Sequence, residues 1–424
     1  MAATLSLSAD RSSSPQSAPT RPYRVLIVAT HPVQYASPVF REMARHPQLD
    51  LTVAYCSLQG AERALDPEFG IEVQWDVPLL DGYAWTQVPN RSVRPGLGRF
   101  WGLVNSGLWN LVRRGAYDVV FLITGYVYAS FWIALAAAKF SDTPVMFGTD
   151  ATGIAPREAG RGKLWLKRKV LPRIFGLADI AVAASGAGRE YLQELRIPPE
   201  RIVLEPLVVD NDWWLRRSAA VDRATVRESW GVSPGQPVIL FCAKLQRWKR
   251  PADLLRAFAE ASLERAVLII AGEGPLRADL ESQARAVGIS ERVRFLGFIN
   301  QTSLPALYTA ADLFVLPSEY DACPAVVCEA MLCGLPVILS DQIRGRFDLV
   351  LHGKTGFIFP CGDVAALAQT LRTALEDSFG LSRMSAAARE RMNTCSPATN
   401  VSGLLDALGR MAARRTAGTR LAAS

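Results

Sequence analysis

The chain has 424 residues, of which 50% are hydrophobic and 21% are charged. A chain of this length predicts two or three domains with sizeable cores. Its formal net charge of +7 is mild, and it contains no zinc-finger, RNP-type or other nucleic-acid motif. The composition therefore argues against a nucleic-acid-binding protein and suits an anionic ligand or an anionic membrane surface.

The cysteine content and the N-terminal segment indicate the cellular compartment of the protein. The seven cysteines form no C-x-x-C pair and only three histidines accompany them, so no structural zinc site is predicted. An odd cysteine count without a signal peptide predicts a reducing cytoplasm. Residues 1–22 are rich in Ser, Ala and Pro, which predicts a disordered tail.

In the first half of the chain, short β-branched runs alternate with helical stretches, a rhythm that predicts a mainly parallel sheet. The predicted strands are 24–29, 51–55, 119–123, 145–147 and 180–183, and the predicted helices are 38–45 and 129–140. The apolar run 119–138 is also long enough for a membrane span. Because Thr124 and Gly125 divide this run, we interpret it as a strand, a turn and a helix.

The rhythm pauses at 205–212 and then restarts. The predicted strands are 238–242, 266–271, 293–296, 313–316 and 337–339, and the predicted helices are 251–261, 275–287, 304–310, 323–333 and 365–375. The pattern predicts an α/β fold of two Rossmann-like, doubly wound domains, joined near 205–235 and facing a central cleft in which a ligand would bind. The predicted bounds are 23–208 for the first domain, 209–395 for the second, and 396–424 for a C-terminal helix and tail.

The segment around residue 325 carries the strongest chemical signal. Asp321 and Glu329 bracket the start of an otherwise apolar helix, and a carboxylate with neighbours as apolar as those of Glu329 is costly to bury without a partner. The first amides of this helix, at Ala325 and Val326, would face an anion with the helix dipole behind them. A nucleotide diphosphate meets both needs, with amides for phosphate and a carboxylate for ribose. The alternative is a core helix in which Glu329 is paired with a basic residue.

Two further clusters follow strands of the second domain. Lys244 and Lys249 flank the turn after its first strand, where two ammonium groups would neutralise a diphosphate without a metal. The alternative is a solvated basic turn. Gly272 and Gly274 follow the next strand, but Arg277 stands where a dinucleotide fingerprint has its third glycine. We interpret this as a tight turn that lets the backbone approach a bound nucleotide.

Polar residues also follow strands of the first domain. His31 follows the first strand and is either a cleft residue or a structural histidine. Asp150 follows the 145–147 strand and is either a cleft carboxylate or a helix cap. Asp210 and Asp212 form a D-x-D pattern, but no other acidic cluster accompanies them, so no metal site is predicted.

Two basic segments contain apolar side chains that would suit an anionic membrane surface, namely 99–114 and 161–173. In the alternative interpretation, each is a packed helix with a solvated basic face.

Taken in chain order, these motifs resemble those of the family 4 glycosyltransferases, which are retaining enzymes of the GT-B fold. The resemblance spans about 238–375 and includes the two lysines, the glycine turn and the acid-x7-acid segment. It also includes the sequences 293–297, 311–318 and 353–357. In the first half, 31–35 and 75–83 look like a bacterial branch of that family.

The resemblance implies a role for each residue. It implies that Glu329 binds the ribose of a nucleotide-diphosphate sugar and that Lys244 and Lys249 bind the diphosphate. Asp321 and the amides that follow it would bind the donor sugar. Phe298 would contact the base. The acceptor side would include Gln34 and Tyr126. The acceptor itself would be a cell-envelope glycan, a lipid-linked or a small molecule, and no metal or other cofactor is implied.

Three positions depart from the family pattern. Asp321 stands where the family usually has Glu, which shortens its reach by one methylene, and Lys244 replaces the usual Arg, which removes a bidentate phosphate contact. Many members carry a histidine near the donor's anomeric centre where this chain has 148–150. The candidate catalytic residues are Asp150 in that segment, His31 after the first strand, and Asp321, Lys244 and Lys249. Two competing hypotheses remain, a nucleotide-sugar epimerase and a nucleotide-sugar-binding protein without turnover. In each case the protein is expected in the cytoplasm or on the inner face of the membrane.

Overall fold

The computed structural model describes residues 21–66, 69–154, 161–322 and 324–422. The predicted tail, except for its last two residues, and Cys323 of the predicted 323–333 helix lie outside the described residues.

The first half of the chain builds a sheet of seven parallel strands. The strands are β1 (Tyr23–Ala29), β2 (Leu49–Tyr55), β3 (Ala64–Asp66), β4 (Ile71–Val73), β5 (Ala84–Gln87), β6 (Val119–Leu122), β7 (Val145–Thr149), β8 (Ile180–Ala183) and β9 (Ile202–Leu204). The sheet order is β5-β2-β1-β6-β7-β8-β9, while β3 and β4 form a separate antiparallel hairpin. The helices are α1 (Ser37–Arg45), α2 (Gly107–Arg114), α3 (Ala129–Phe140), α4 (Arg161–Gly176) and α5 (Gly186–Glu194).

The second half builds a sheet of six parallel strands in the order β12-β11-β10-β13-β14-β15. These strands are β10 (Val238–Cys242), β11 (Val267–Ala271), β12 (Val293–Gly297), β13 (Leu313–Leu316), β14 (Val337–Ser340) and β15 (Gly356–Phe359). The remaining helices are α6 (Asn211–Ala219), α7 (Arg223–Ser229), α8 (Pro251–Glu260), α9 (Arg277–Ala286), α10 (Leu304–Ala310), α11 (Ala325–Leu332), α12 (Arg346–Leu349), α13 (Val364–Glu376), α14 (Ser378–Met392) and α15 (Pro397–Ala422).

The central strands are nearly continuous apolar runs because helices cover both faces of each sheet. β6, β10 and β13 are buried along their whole lengths. The predicted α/β fold with two Rossmann-like domains is confirmed. The run 119–138 divides between β6 and α3, and among the described residues no helix is long and apolar enough to cross a membrane.

The segment 205–235, predicted as the junction between the domains, contains two helices. The carboxylate of Asp210 caps α6 by accepting a hydrogen bond from the Trp213 amide at 3.0 Å. Asp210 also pairs with Arg41 at 3.4 Å, which accounts for this acid of the D-x-D pattern without a metal. Trp214 is buried in α6, and its ring centroid lies 5.8 Å from that of Tyr308. The junction is therefore packed against the second domain.

The C-terminal helix α15 returns to the first domain, where it packs on α1 and β9. The chain consequently crosses between the two domains twice. These crossings, with contacts such as the Gly186 amide to the Asp348 carboxylate at 2.8 Å, hold the two sheets on either side of a cleft.

Candidate active site

A cavity of about 490 Å³ lies in the cleft, between the carboxyl ends of the strands of the two sheets. We call it the cleft cavity. Eleven of the thirteen residues singled out from the sequence line it: His31, Gln34, Asp150, Lys244, Lys249, Gly272, Phe298, Asp321, Ala325, Val326 and Glu329. The fold thus brings together, from both domains, residues that are up to about three hundred positions apart in the chain.

Glu329 lies one turn inside α11 and is 3% exposed. The Tyr308 hydroxyl donates to its Oε2 at 3.1 Å, and the Gln301 amide donates to its Oε1 at 3.4 Å. Among the described residues, no basic side chain forms a salt bridge with Glu329, so the ion-pair alternative is not what the structure shows. Burial raises the pKa of Glu329 to about 7. The carboxyl group is held in place by neutral groups and lines the cavity.

The raised pKa of Glu329 makes the stability of the unliganded protein depend on pH. The folded state binds a proton that the unfolded state has already lost once the pH exceeds about 4.5, so stability falls as pH rises from there through about 7. We expect Glu329→Gln to flatten this decline, whereas Glu376→Gln, at an exposed position, leaves it unchanged. Urea midpoints at several pH values measure the slope. Equal slopes in wild type and Glu329→Gln would contradict the assignment.

Both lysines of the site contact carboxylates. Lys249 ends a 3-10 turn before α8 and pairs with Asp321. Lys244 follows β10 and lies 3.2 Å from Oδ2 of Asp66, with its ammonium group 4.6 Å from the ring centroid of Phe69. These pairs fix the two ammonium groups in the wall of the cleft cavity, so the alternative of a solvated basic turn does not describe them.

The β3–β4 hairpin is a contribution to the site that sequence reasoning missed. It brings Asp66 and Phe69 across the cleft, and the rings of Phe69 and Phe298 meet edge to face with centroids 5.1 Å apart. The ring centroid of Trp75 lies 6.2 Å from that of Phe298, and the Asp76 carboxylate accepts a hydrogen bond from the Thr302 amide at 3.0 Å. These contacts join residues more than two hundred positions apart in the sequence, and no local sequence pattern predicts such a contact.

The two glycines after β11 differ in placement. Gly272 lines the cleft cavity, but Gly274 does not. Both have positive φ, and a Cβ at Gly272 or Gly274 would lie 2.0 Å or 2.7 Å from the carbonyl oxygens of Ala243 and Leu245, respectively. At both glycines the backbone lies close to the chain's own 243–245 segment, and the predicted approach of this turn to a nucleotide stays a prediction.

On the first-domain side, His31 follows β1 and Asp150 follows β7. Burial lowers the pKa of His31, so its imidazole is neutral at neutral pH, and its Nδ1 has no hydrogen-bond partner among the described residues. Asp150 is exposed to the cavity. Tyr126 lines an adjoining cavity that shares His31 and Asp150 with the cleft cavity. Among the described residues, no group of three or more His, Cys, Asp or Glu side chains is placed to hold a metal ion.

Two family models match the chain, one for each domain. Residues 47–213 match the model described as Glycosyltransferase Family 4, and residues 222–391 match the model described as Glycosyl transferases group 1. The gap between the matches falls at the end of α6, close to the junction of the two domains.

The chain is also similar to proteins of solved structure and to curated proteins. The crystal structure of Anabaena Alr3699/HepE in complex with UDP and glucose superposes with a TM-score of 0.71 at 19% identity, covering 91% of this chain and 99% of that one. Glycogen synthase from Mycobacterium tuberculosis is 29% identical over 286 residues, 63% of this chain and 64% of that protein. D-inositol 3-phosphate glycosyltransferase from Nocardia farcinica is 32% identical over 244 residues, 55% of this chain and 53% of that protein.

The two sheets and the cleft between them define a GT-B protein. The paired family matches place the chain among the family 4-like glycosyltransferases. The chain spans between about half and two thirds of the length of these two curated relatives.

Proposed function

We propose that the protein transfers a hexosyl group from a nucleotide-diphosphate sugar to an acceptor hydroxyl with retention of anomeric configuration. The observation that carries the proposal is the cleft cavity, in which buried Glu329 faces the same space as Lys244, Lys249 and the N-terminus of α11. A buried carboxyl group, two ammonium groups and free helix amides match ribose hydroxyls and a diphosphate. The similarity to a protein solved with UDP and glucose supports a uridine nucleotide as the first one to test.

The proposed reaction breaks the bond between the sugar C1 and the β-phosphate oxygen and forms a bond between C1 and the acceptor oxygen. The acceptor proton passes to the departing diphosphate. Lys244 and Lys249 stabilise the charge that develops on that leaving group, so we propose that no metal is needed. Asp321 beside Lys249 would hold the sugar hydroxyls, and neutral His31 and exposed Asp150 lie on the opposite wall.

The pairing of Lys244 with Asp66 has a consequence for binding. A diphosphate carries more negative charge than a single carboxylate, so it would replace Asp66 as the partner of Lys244. Phe69 lies next to this position and packs edge to face on Phe298, so the base would stack on one of these rings and not between them. The hairpin would then close on the bound nucleotide from the first domain.

The test is to incubate the purified chain with UDP-, GDP- and ADP-sugars and a panel of acceptors, and to measure release of the nucleoside diphosphate. We expect release that depends on an acceptor and persists in a metal chelator, with an α-linked product from an α-linked donor. A β-linked product would overturn retention. Altered sugar without any acceptor would indicate an epimerase, and tight binding without turnover would indicate a binding protein.

We also propose a cytoplasmic protein with peripheral membrane contact through α4. The exposed fractions of Trp165 and Leu166 are 62% and 54%, and the exposed Arg168 and Lys169 lie beside them. Apolar and basic side chains together favour an anionic bilayer surface. We expect co-sedimentation with phosphatidylglycerol-containing vesicles at low salt, lost in the double variant Trp165→Ser/Leu166→Ser.

The matched control for the α4 variant is Phe379→Ser, which removes an exposed aromatic side chain from α14 of the second domain. This variant should sediment like wild type. Undiminished sedimentation of the α4 variant would exclude contact through α4, and equal sedimentation of wild type with vesicles of phosphatidylcholine alone would exclude a preference for an anionic surface.

A further inference from the structure

A second cavity, of about 500 Å³, lies within the first domain and opens onto the cleft cavity. We call it the first-domain cavity. It is formed at the carboxyl ends of β1, β6, β7 and β8, with α1 as one wall. Both cavities are lined by His31, Val33, Tyr35, Asp150 and Leu207. Because the two spaces adjoin, a molecule in the first-domain cavity would present an end to whatever the cleft cavity holds.

The wall of the first-domain cavity is mostly apolar. α1 contributes Val39, Phe40 and Met43, and the strands contribute Phe121 and Phe147, among others. Ligand sites commonly have this character, an apolar lining with a few placed polar groups. The cavity is therefore suited to an apolar group of a ligand and poorly suited to a bare sugar.

Besides Nδ1 of His31, which lines both cavities, two side-chain oxygens of this lining lack hydrogen-bond partners among the described residues, Oε1 of Glu205 and Oδ1 of Asn400. Glu205 and Asn400 are each only 8% exposed. A buried polar atom left without a partner loses its hydrogen bonds to water and gains none in return, so a protein rarely retains several such atoms in one cavity without use. Both atoms are oxygens that can accept a hydrogen bond, and a protonated carboxyl group can also donate one, so a group that both donates and accepts would suit the pair.

The position of Glu205 is set by the fold. It follows β9, its amide donates to Ala183 O at 2.9 Å, and α15 packs so closely that a Cβ at Gly403 would lie 3.3 Å from its Cγ. Burial raises the pKa of Glu205 to about 8, so at neutral pH the unliganded carboxyl group is mostly uncharged. An uncharged carboxyl group both donates and accepts, as a hydroxyl does, and has no charge to offer a cation.

We propose that the first-domain cavity binds the acceptor, that the acceptor is a hydroxyl-bearing amphiphile, and that Glu205 and Asn400 contact one of its hydroxyls while the apolar walls enclose its apolar group. The inference rests on the proposed function, because a ligand of this cavity is an acceptor only if the neighbouring cleft cavity binds a nucleotide sugar. The binding chemistry itself rests on the cavity walls and on the two oxygens.

The test uses octyl β-D-glucoside, below its micelle concentration, as the amphiphilic probe and methyl β-D-glucoside as its matched control. By calorimetry on the full chain, we expect the octyl compound to bind at least about tenfold more tightly than the methyl compound. Ala36→Phe, which fills the cavity from the start of α1, should weaken octyl glucoside binding about tenfold or more. Its affinity for UDP should stay that of wild type.

A second variant separates a binding role of Glu205 from a structural one. Glu205→Leu removes the unpartnered carboxyl group at nearly constant volume, so we expect a higher Tm of the unliganded protein together with at least about fivefold weaker octyl glucoside binding. Glu200→Leu, at an exposed position just before β9, should change neither property. A lower Tm in Glu205→Leu would assign the residue a structural role and overturn its part in binding.

The two proposals fail in different ways. The acceptor-cavity proposal is overturned if wild type binds UDP but not octyl glucoside, or if Ala36→Phe binds octyl glucoside as tightly as wild type does. Either result leaves the proposed nucleotide site intact. Wild type that binds octyl glucoside with the expected response to both variants, but binds no nucleotide, overturns the glycosyltransferase proposal and keeps the amphiphile site.

Discussion

Glu329→Gln is expected to weaken UDP binding by about 10- to 100-fold, the largest effect on affinity that we predict. An ionised carboxylate accepts hydrogen bonds from ribose hydroxyls, and such charge-assisted bonds contribute about 1.5–3 kcal/mol each. The substitution keeps the shape of the side chain and an oxygen to accept from Tyr308. Calorimetric titration with UDP measures the loss. Glu376→Gln, at an exposed position of α13, serves as the control.

The pH dependence of binding gives a second reading of the same residue. Because the pKa of Glu329 is raised to about 7 and ribose hydroxyls favour the ionised form, the affinity for uridine should increase between about pH 6 and pH 8. Uridine is the suitable ligand because it has no phosphate that titrates. The increase should vanish in Glu329→Gln. Wild-type affinity for UDP in Glu329→Gln would refute the ribose role.

Lys249→Met is expected to lower kcat by about 10²–10³-fold, the largest effect on rate that we predict. In the proposed reaction, the ammonium group of Lys249 stabilises the leaving diphosphate most strongly in the transition state, and removal of one such group has costs of this size. Steady-state kinetics with a nucleotide sugar and an accepted hydroxyl compound measure the change. Lys354→Met removes a lysine outside the cleft cavity and should keep wild-type kcat.

Removal of Lys249 also leaves Asp321 without its ion-pair partner, at a position that is mostly buried. The double variant Lys249→Met/Asp321→Asn removes that unpaired charge. If the loss of kcat arises from leaving-group stabilisation, the double variant stays as slow as Lys249→Met or becomes slower. Recovery of kcat in the double variant would show that the unpaired carboxylate, and not the missing ammonium group, caused the loss.

Much of the fold followed from local patterns. Buried parallel strands are read from apolar runs such as 238–242 and 313–316, whose observed bounds equal the predicted ones. The clearest departure is the 205–235 segment. Asp210 and Asp222 each cap a helix there, whereas the sequence pattern indicates only a D-x-D motif at Asp210 and no feature at Asp222.

The site was predictable to the extent that its residues sit at strand ends. Lys244, Asp321 and the start of the helix that carries Glu329 could be grouped because they follow parallel strands of one sheet, which end at the same edge. The partners of these side chains could not be predicted. Gln301 and Tyr308 satisfy Glu329 from other elements, and Asp66 reaches Lys244 from the other domain.

By itself, the sequence determined the two parallel sheets, their helices and the side chains at the cleft, because these depend on periodicity and strand order, which are local. Only the tertiary structure decided that Glu329 is held by neutral groups instead of an ion pair, and that Asp66 and Phe69 line the cleft cavity. It also placed both Glu205 and Asn400 in the lining of one mostly apolar cavity, because α15 returns to the first domain. Such contacts depend on how distant segments pack, and no spacing along the chain encodes them.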